Sequence, residues 1–398
     1  MAIKGVGIQG AAALINALLS VGLLLVLARS LGPTSFGNYS VLLNAGIVAL
    51  VAMEGGYPLL AYRETALASV TLNVWQGRVL ALAAGHGLCV ALLLVLVPVG
   101  SWLGQDAIAW CSVVWCMLLV AWMNAYSGFL RGLGRFTAEA IWQIAGRLFA
   151  MGAILVALAV GNVQVAEIFW AWSLGLVLLI LLRPQQRPPF PVLELAVPVR
   201  RAALHLMSGQ LLFVVLMRFD LLALAALGGS PTQTANYTAA ARFAEAGLLL
   251  FAPVANVLQH SFRQRLVDKK SFGALLKRVM LGALVFALAG TLIGAFAAPL
   301  LVNLAFGPAY AQAAPLLVWV LASLIFVLPG QALAQAAIAL NRERSVWIAF
   351  AVGLATALLM LLFLVPTHGA LGTAWAMLIG HASVLAVLVF SLRGCLKN

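Results

Sequence analysis

Along this chain, apolar residues run on for twenty or more positions with almost no polar interruption. Neither the alternation of a half-buried strand nor the one-sided stripe of a surface helix is present. A helix crossing lipid needs about 20 such residues. By that measure the pattern predicts twelve spans, at 6–28, 38–61, 76–98, 107–129, 138–160, 164–182, 202–227, 236–260, 279–301, 314–338, 346–365 and 370–391. The Met1 to Ala28 stretch is expected to be a retained first span, because its apolar run exceeds the ~7–15 residues of a signal peptide. The longest connection, from Leu182 to Ala202, holds Arg183, Pro184, Gln185, Gln186, Arg187, Pro188, Pro189 and Pro191 and reads as a linker. The expected fold is all-α and integral to the membrane. It has an N-terminal six-helix half over 1–183, a cytoplasmic linker over 184–201 and a C-terminal six-helix half over 202–398.

Composition excludes a soluble protein. Hydrophobic residues make up 64% and charged residues 8%, against roughly 25% charged in ordinary soluble domains. The net charge of +13 suggests nucleic acid in a soluble chain, but the positions of the basic residues give another reason. With the N-terminus inside, cytoplasmic segments hold Lys4, Arg63, Arg78, Arg131, Arg135, Arg183, Arg187, Arg200, Arg201, the cluster from Arg263 to Arg278, Arg342, Arg344, Arg393 and Lys397. That is 19 of the 23 Lys and Arg, while the outer loops hold only Arg29. Cytoplasmic loops carry the basic excess, so both termini are expected in the cytoplasm. No nucleic-acid partner is implied.

Internal repetition is visible. Leu31-Gly32, Asn38-Tyr39, Ala45-Gly46 and Arg63 correspond to Leu227-Gly228, Asn236-Tyr237, Ala246-Gly247 and Arg263. Gly132-Leu133-Gly134-Arg135 corresponds to Ala339-Leu340-Asn341-Arg342 at an offset of 207. Six spans per half preserve orientation, so the halves are expected to be parallel repeats related by a pseudo-two-fold axis along the membrane normal.

Enzymatic chemistry finds little footing. No GxxxxGK[ST], HExxH or GxSxG pattern occurs, and the outer loops are too short for an outer active site. Cys89, Cys111, Cys116 and Cys395 lack metal or disulfide spacing. No catalysis, cofactor or metal is expected.

Ionisable residues inside the spans are the better lead, since each costs about 2.5–3.5 kcal/mol at a helix centre and tends to face a cavity or a partner. Arg147, Arg218 and Arg242 are the candidate substrate-binding residues, because guanidinium forks grip anionic groups such as a diphosphate bidentately. Glu54, Asp220 and Glu245 are read as counter-ions or cation-coupling groups. Mutual neutralisation is the competing reading; Arg242 and Glu245, three apart, can meet on one helix face. His86, His381, Gln331 and Gln335 are expected to bond between helices, and Pro58, Pro253 and Pro329 to mark kinks.

The stretch Ala28-Arg29-Ser30-Leu31-Gly32-Pro33-Thr34-Ser35-Phe36-Gly37-Asn38-Tyr39-Ser40 resembles the first helix–loop–helix of the bacterial polysaccharide or O-antigen flippases of the multidrug/oligosaccharidyl-lipid/polysaccharide superfamily. Glu54-Gly55-Gly56, Arg63-Glu64, Arg131-Gly132-Leu133-Gly134-Arg135-Phe136, Phe306-Gly307-Pro308-Ala309-Tyr310 and Pro366-Thr367-His368-Gly369-Ala370-Leu371-Gly372 follow in the order of that family. The second half lacks the family's common Val-Gly before Asn236-Tyr237. The resemblance implies a multi-pass protein of the bacterial cytoplasmic (inner) membrane. Its implied task is moving an undecaprenyl-diphosphate-linked oligosaccharide, an O-antigen or exopolysaccharide repeat unit, from the inner to the outer leaflet by alternating access. Membrane lipids, and polymerase and chain-length proteins of the same pathway, are its implied partners. A cation-coupled small-molecule antiporter of the same superfamily is the rival reading, and a membrane polymerase or ligase a weaker one. Drug-cation exporters are expected to favour acidic or aromatic cavities, whereas the deep charges here include three arginines.

Overall fold

The computed structural model describes residues 2–65, 72–96, 106–161, 163–182, 197–264, 269–340 and 342–397. The described residues are helical nearly throughout. In chain order the helices are α1 (Ala2–Glu54), α2 (Tyr57–Thr65), α3 (Leu72–Leu96), α4 (Ala107–Gly132), α5 (Phe136–Val160) and α6 (Val165–Leu182). They continue with α7 (Val197–Ala226), α8 (Pro231–Gln264), α9 (Lys269–Phe306), α10 (Ala313–Ala339) and α11 (Glu343–Lys397). Most of the proline-rich linker expected over 184–201 lies outside the described residues, and α7 already begins at Val197.

Eight helical stretches among the described residues are long and apolar enough to cross a membrane, so the chain is a multi-pass membrane protein. Two of the eight, Leu14–Glu54 and Arg344–Arg393, are 41 and 50 residues long. At about 1.5 Å per residue each is roughly twice as long as the ~30 Å hydrocarbon layer. Each is interrupted once. Gly32 has φ 68° and ψ 172°, and Gly369 has φ 54° and ψ −128°. Both lie in backbone regions that side chains resist, so the outer loops expected at these points are reduced to kinks.

The second expected span is also broken. Gly55 and Gly56 take φ values of 57° and 77°, ending α1 at Glu54 and restarting the chain as α2 at Tyr57. His86 on α3 bonds Ala52 O through Nε2 at 3.0 Å, occupying a carbonyl that the break leaves without its helical donor. Pro58 therefore stands in the first turn of a new helix, where a missing N–H costs little. Pro329, by contrast, lies inside the continuous α10.

Two compact units emerge, Met1–Leu222 and Ala223–Asn398. In the first, α4 is the hub and packs against α1, α2, α3, α5 and α6; in the second, α10 packs against α8, α9 and α11. These two helices are the most buried of the eight, 56% and 61% over their apolar windows against 44% or less in the others. The offset of 207 reappears in the hydrogen bonds that end both hubs. Leu133 N donates to Phe129 O and Arg135 N to Leu130 O, just as Leu340 N donates to Ala336 O and Arg342 N to Ala337 O. Helix starts are capped where the sequence allows it. Asp106 accepts from Ala109 N, and Ser230 and Gln233 form a reciprocal capping box at α8.

Candidate functional site

The six charged residues expected to act within the spans fall into distinct surroundings. Arg242 and Glu245 on α8 form an ion pair, Nη1 to Oε2 at 2.5 Å, across one helical turn. Arg218 on α7 donates from Nη1 to Asn44 Oδ1 at 3.2 Å, while Asn44 uses its own Nδ2 on Ser40 O at 2.8 Å. The amide is thereby held with its carbonyl toward the arginine. α7 meets the break as well, where Gly56 approaches the backbone of Ala203 and Met207 so closely that a Cβ would overlap them. Asp220 accepts from Leu221 N at 2.8 Å.

Glu54 sits at the break, and its Oε1 accepts from Asn124 Nδ2 on α4 at 2.6 Å. Gln143 on α5 continues the chain, donating to Ser127 Oγ at 2.6 Å and more weakly to Asn124 Oδ1 at 3.4 Å. One turn toward the α4–α5 connection, Glu139 is buried and lies 3.8 Å from Arg131 Nε. Glu139, Gln143 and Arg147, spaced by four, form one polar stripe on an otherwise apolar helix. Sequence reasoning singled out Arg147 and missed its two companions, as well as Asn124 and Ser127. The i, i+4 spacing on α5 was the signal available for finding them.

Arg147 lies near the middle of α5 and has no ion pair or hydrogen bond among the described residues. Its guanidinium lies over the Trp172 ring, 5.8 Å from the centroid. Trp172 ends an aromatic column in which Tyr39 and Phe169 stack at 5.3 Å and Phe169 and Trp172 at 6.3 Å. Such a contact contributes about 0.5–2 kcal/mol, which does not cover the roughly 2.5–3.5 kcal/mol of holding a cation at that depth. His86 serves the helix break.

The family model described as polysaccharide biosynthesis protein matches residues 2–259. The chain belongs to that family. Its fold is shared with an inward-facing multidrug resistance MATE family transporter of the MOP superfamily, at 14% identity over 96% of this chain and 94% of that one, TM-score 0.74. It is shared as well with the lipid II flippase MurJ in an inward closed conformation, at 13% identity over 97% and 87%, TM-score 0.76. The Vibrio cholerae MATE transporter VcmN in its bent form aligns at 18% identity over 99% and 97%, TM-score 0.56. No curated protein matches the chain by sequence.

Proposed function

We propose that this protein translocates an undecaprenyl-diphosphate-linked oligosaccharide, an O-antigen or exopolysaccharide repeat unit, from the inner to the outer leaflet of the bacterial cytoplasmic membrane by alternating access. It is a transporter rather than an enzyme on this reading, with twelve spans and both termini in the cytoplasm. Twelve is the reading supported by dividing each of the two long helices at Gly32 and Gly369 and adding α7 and α8 to the eight apolar stretches. The 19 basic residues that the twelve-span arrangement gathers on one side support the orientation. Membership of a polysaccharide biosynthesis family and a fold shared with a lipid II flippase support the cargo class.

The observation that carries the reading is Arg147, a mid-span guanidinium without an acid partner among the described residues. A diphosphate offers the paired oxygens that a guanidinium fork engages, and neither it nor the glycan crosses hydrocarbon unaided. Arg218, which donates to Asn44, is the second candidate contact. An inside-negative potential favours outward movement, by about 2.3 kcal/mol per negative charge per 100 mV. Arg147→Gln and Arg218→Gln, each checked for insertion and abundance, are expected to lower glycan export at least tenfold and leave carrier-linked glycan on the inner leaflet. Undiminished export in both variants overturns the assignment.

A further inference from the structure

The two ends of α11 meet in the second unit. The helix reverses at Gly369, and Ala349 near its start shares one buried cluster with Leu388 and Leu392 near its end. Arg342, just before the helix, donates from Nη1 to Ser391 O at 3.1 Å, and the Arg393 guanidinium lies over the Phe390 ring, 4.3 Å from the centroid. Both guanidinium groups are thus anchored on one turn of α11, with Arg344 two residues along the chain from Arg342. All three arginines are exposed, and none forms an ion pair among the described residues. In sequence, 340–350 and 388–398 hold four basic residues against one acid, Glu343.

Next to these charges the helix is apolar and open. Phe390 is 65% exposed and Trp347 55%, and each stands three residues from an arginine, Arg393 and Arg344. Residues three apart share a helix face. Both rings belong to an apolar stretch long enough to cross the membrane, where an exposed ring meets acyl chains. An arginine resting on such a ring keeps its charge at the edge of the lipid. Basic loops on this side orient the chain, but orientation requires neither guanidinium groups tethered to one turn nor open rings beside them. Like charges brought together repel, and an anion shared between them removes that cost. A soluble anion or an acidic protein surface would use the charges and leave the rings aside. A phospholipid with a net negative headgroup uses both, its phosphodiester on the guanidinium forks and its chains on the rings.

We infer that the joined ends of α11 bind an anionic phospholipid of the inner leaflet. Its phosphate sits on Arg342 and Arg393 with Arg344 beside them, and its acyl chains lie along Phe390 and Trp347. The site is separate from Arg147 and Arg218 and independent of the cargo proposed above; only the leaflet rests on the proposed orientation.

The test uses purified full-length protein in detergent, loaded with one defined lipid at a time and read by native mass spectrometry. Dioleoyl phosphatidylglycerol is expected to remain as one tightly held copy per chain, retained at least about fivefold better than dioleoyl phosphatidylcholine. Arg342→Gln/Arg393→Gln is expected to abolish that preference; both side chains are exposed, and an unchanged thermal melt checks the fold. Arg200→Gln/Arg201→Gln removes two other exposed charges, near the start of α7, and is expected to keep the preference, which separates this site from general positive charge. Glycerol phosphate in excess, which has the headgroup chemistry without the chains, is expected to leave the lipid bound. Equal retention of the two lipids, an unchanged preference in Arg342→Gln/Arg393→Gln, an equal loss in Arg200→Gln/Arg201→Gln, or displacement by glycerol phosphate overturns the inference.

Discussion

Asn124 donates a hydrogen bond of 2.6 Å to the carboxylate of Glu54, joining the hub helix α4 to the point where the second span breaks. That bond takes the place of the arginine partner expected for Glu54, and it marks the end of a polar chain running through Gln143 and Ser127. Asn124→Leu removes the donor and leaves the acceptor in place. Loss of a partner to a buried polar group costs about 1–3 kcal/mol, and more when the group is charged. A fall in melting temperature of the detergent-purified protein is expected, smaller in Asn124→Leu/Glu54→Gln than the sum of the two single changes.

The break itself distinguishes its two glycines. A Cβ on Gly55 would meet the His86 ring, which can move aside, whereas one on Gly56 would meet backbone atoms of Ala203 and Met207, which cannot. Both substitutions also place a side chain at positive φ, at roughly 1–2 kcal/mol. Gly56→Ala is expected to reduce the folded yield more than Gly55→Ala. His86→Ala is expected to rescue part of the Gly55→Ala loss and none of the Gly56→Ala loss, as measured by fluorescence-detected size exclusion.

Arg242 Nη1 pairs with Glu245 Oε2 across one turn of α8 at partly exposed positions, while Arg242 Nε is buried without a hydrogen-bond partner among the described residues. Pairs of this kind contribute about 0–1 kcal/mol. Arg242→Gln is therefore expected to change melting by a degree or two at most and to leave glycan export within twofold of the parent, in contrast to Arg147→Gln. Export lost equally in both variants would show that Arg242 has a role beyond its pair.

At the start of α8, Ser230 Oγ accepts from Gln233 N and Gln233 Oε1 accepts from Ser230 N, both at 3.2 Å. The Gln233 amide also lies where a Cβ on Gly369 would be, so the cap and the α11 kink share one contact. Ser230→Ala is expected to cost about 1 kcal/mol. Gly369→Ala is expected to cost more, since it strains the kink as well as displacing the amide; thermal melts of the two variants against the parent check the order.

The sequence by itself determined that this chain lives in lipid as a set of helices, because uninterrupted apolar runs allow no other way of satisfying backbone hydrogen bonds there. It also marked the matching turns, which depend on local chemistry: two backbone hydrogen bonds recur at an offset of 207 at the ends of α4 and α10. The kinks at Gly32 and Gly369 and the break at Gly55-Gly56 were less legible, since glycine permits such backbone angles without requiring them. Arg242 apart, the partner of each deep charge was decided by tertiary structure. Arg242 finds Glu245 on its own helix, a relation readable from spacing. Arg218 finds Asn44 at a separation of 174 residues, and Glu54 finds Asn124 at 70. No local pattern encodes such distances along the chain. Glu54 meets Asn124 where α4 packs against α1, Arg218 meets Asn44 where α7 approaches α1, and the packing of α5 against α6 leaves Arg147 on an aromatic ring with its charge unmatched among the described residues.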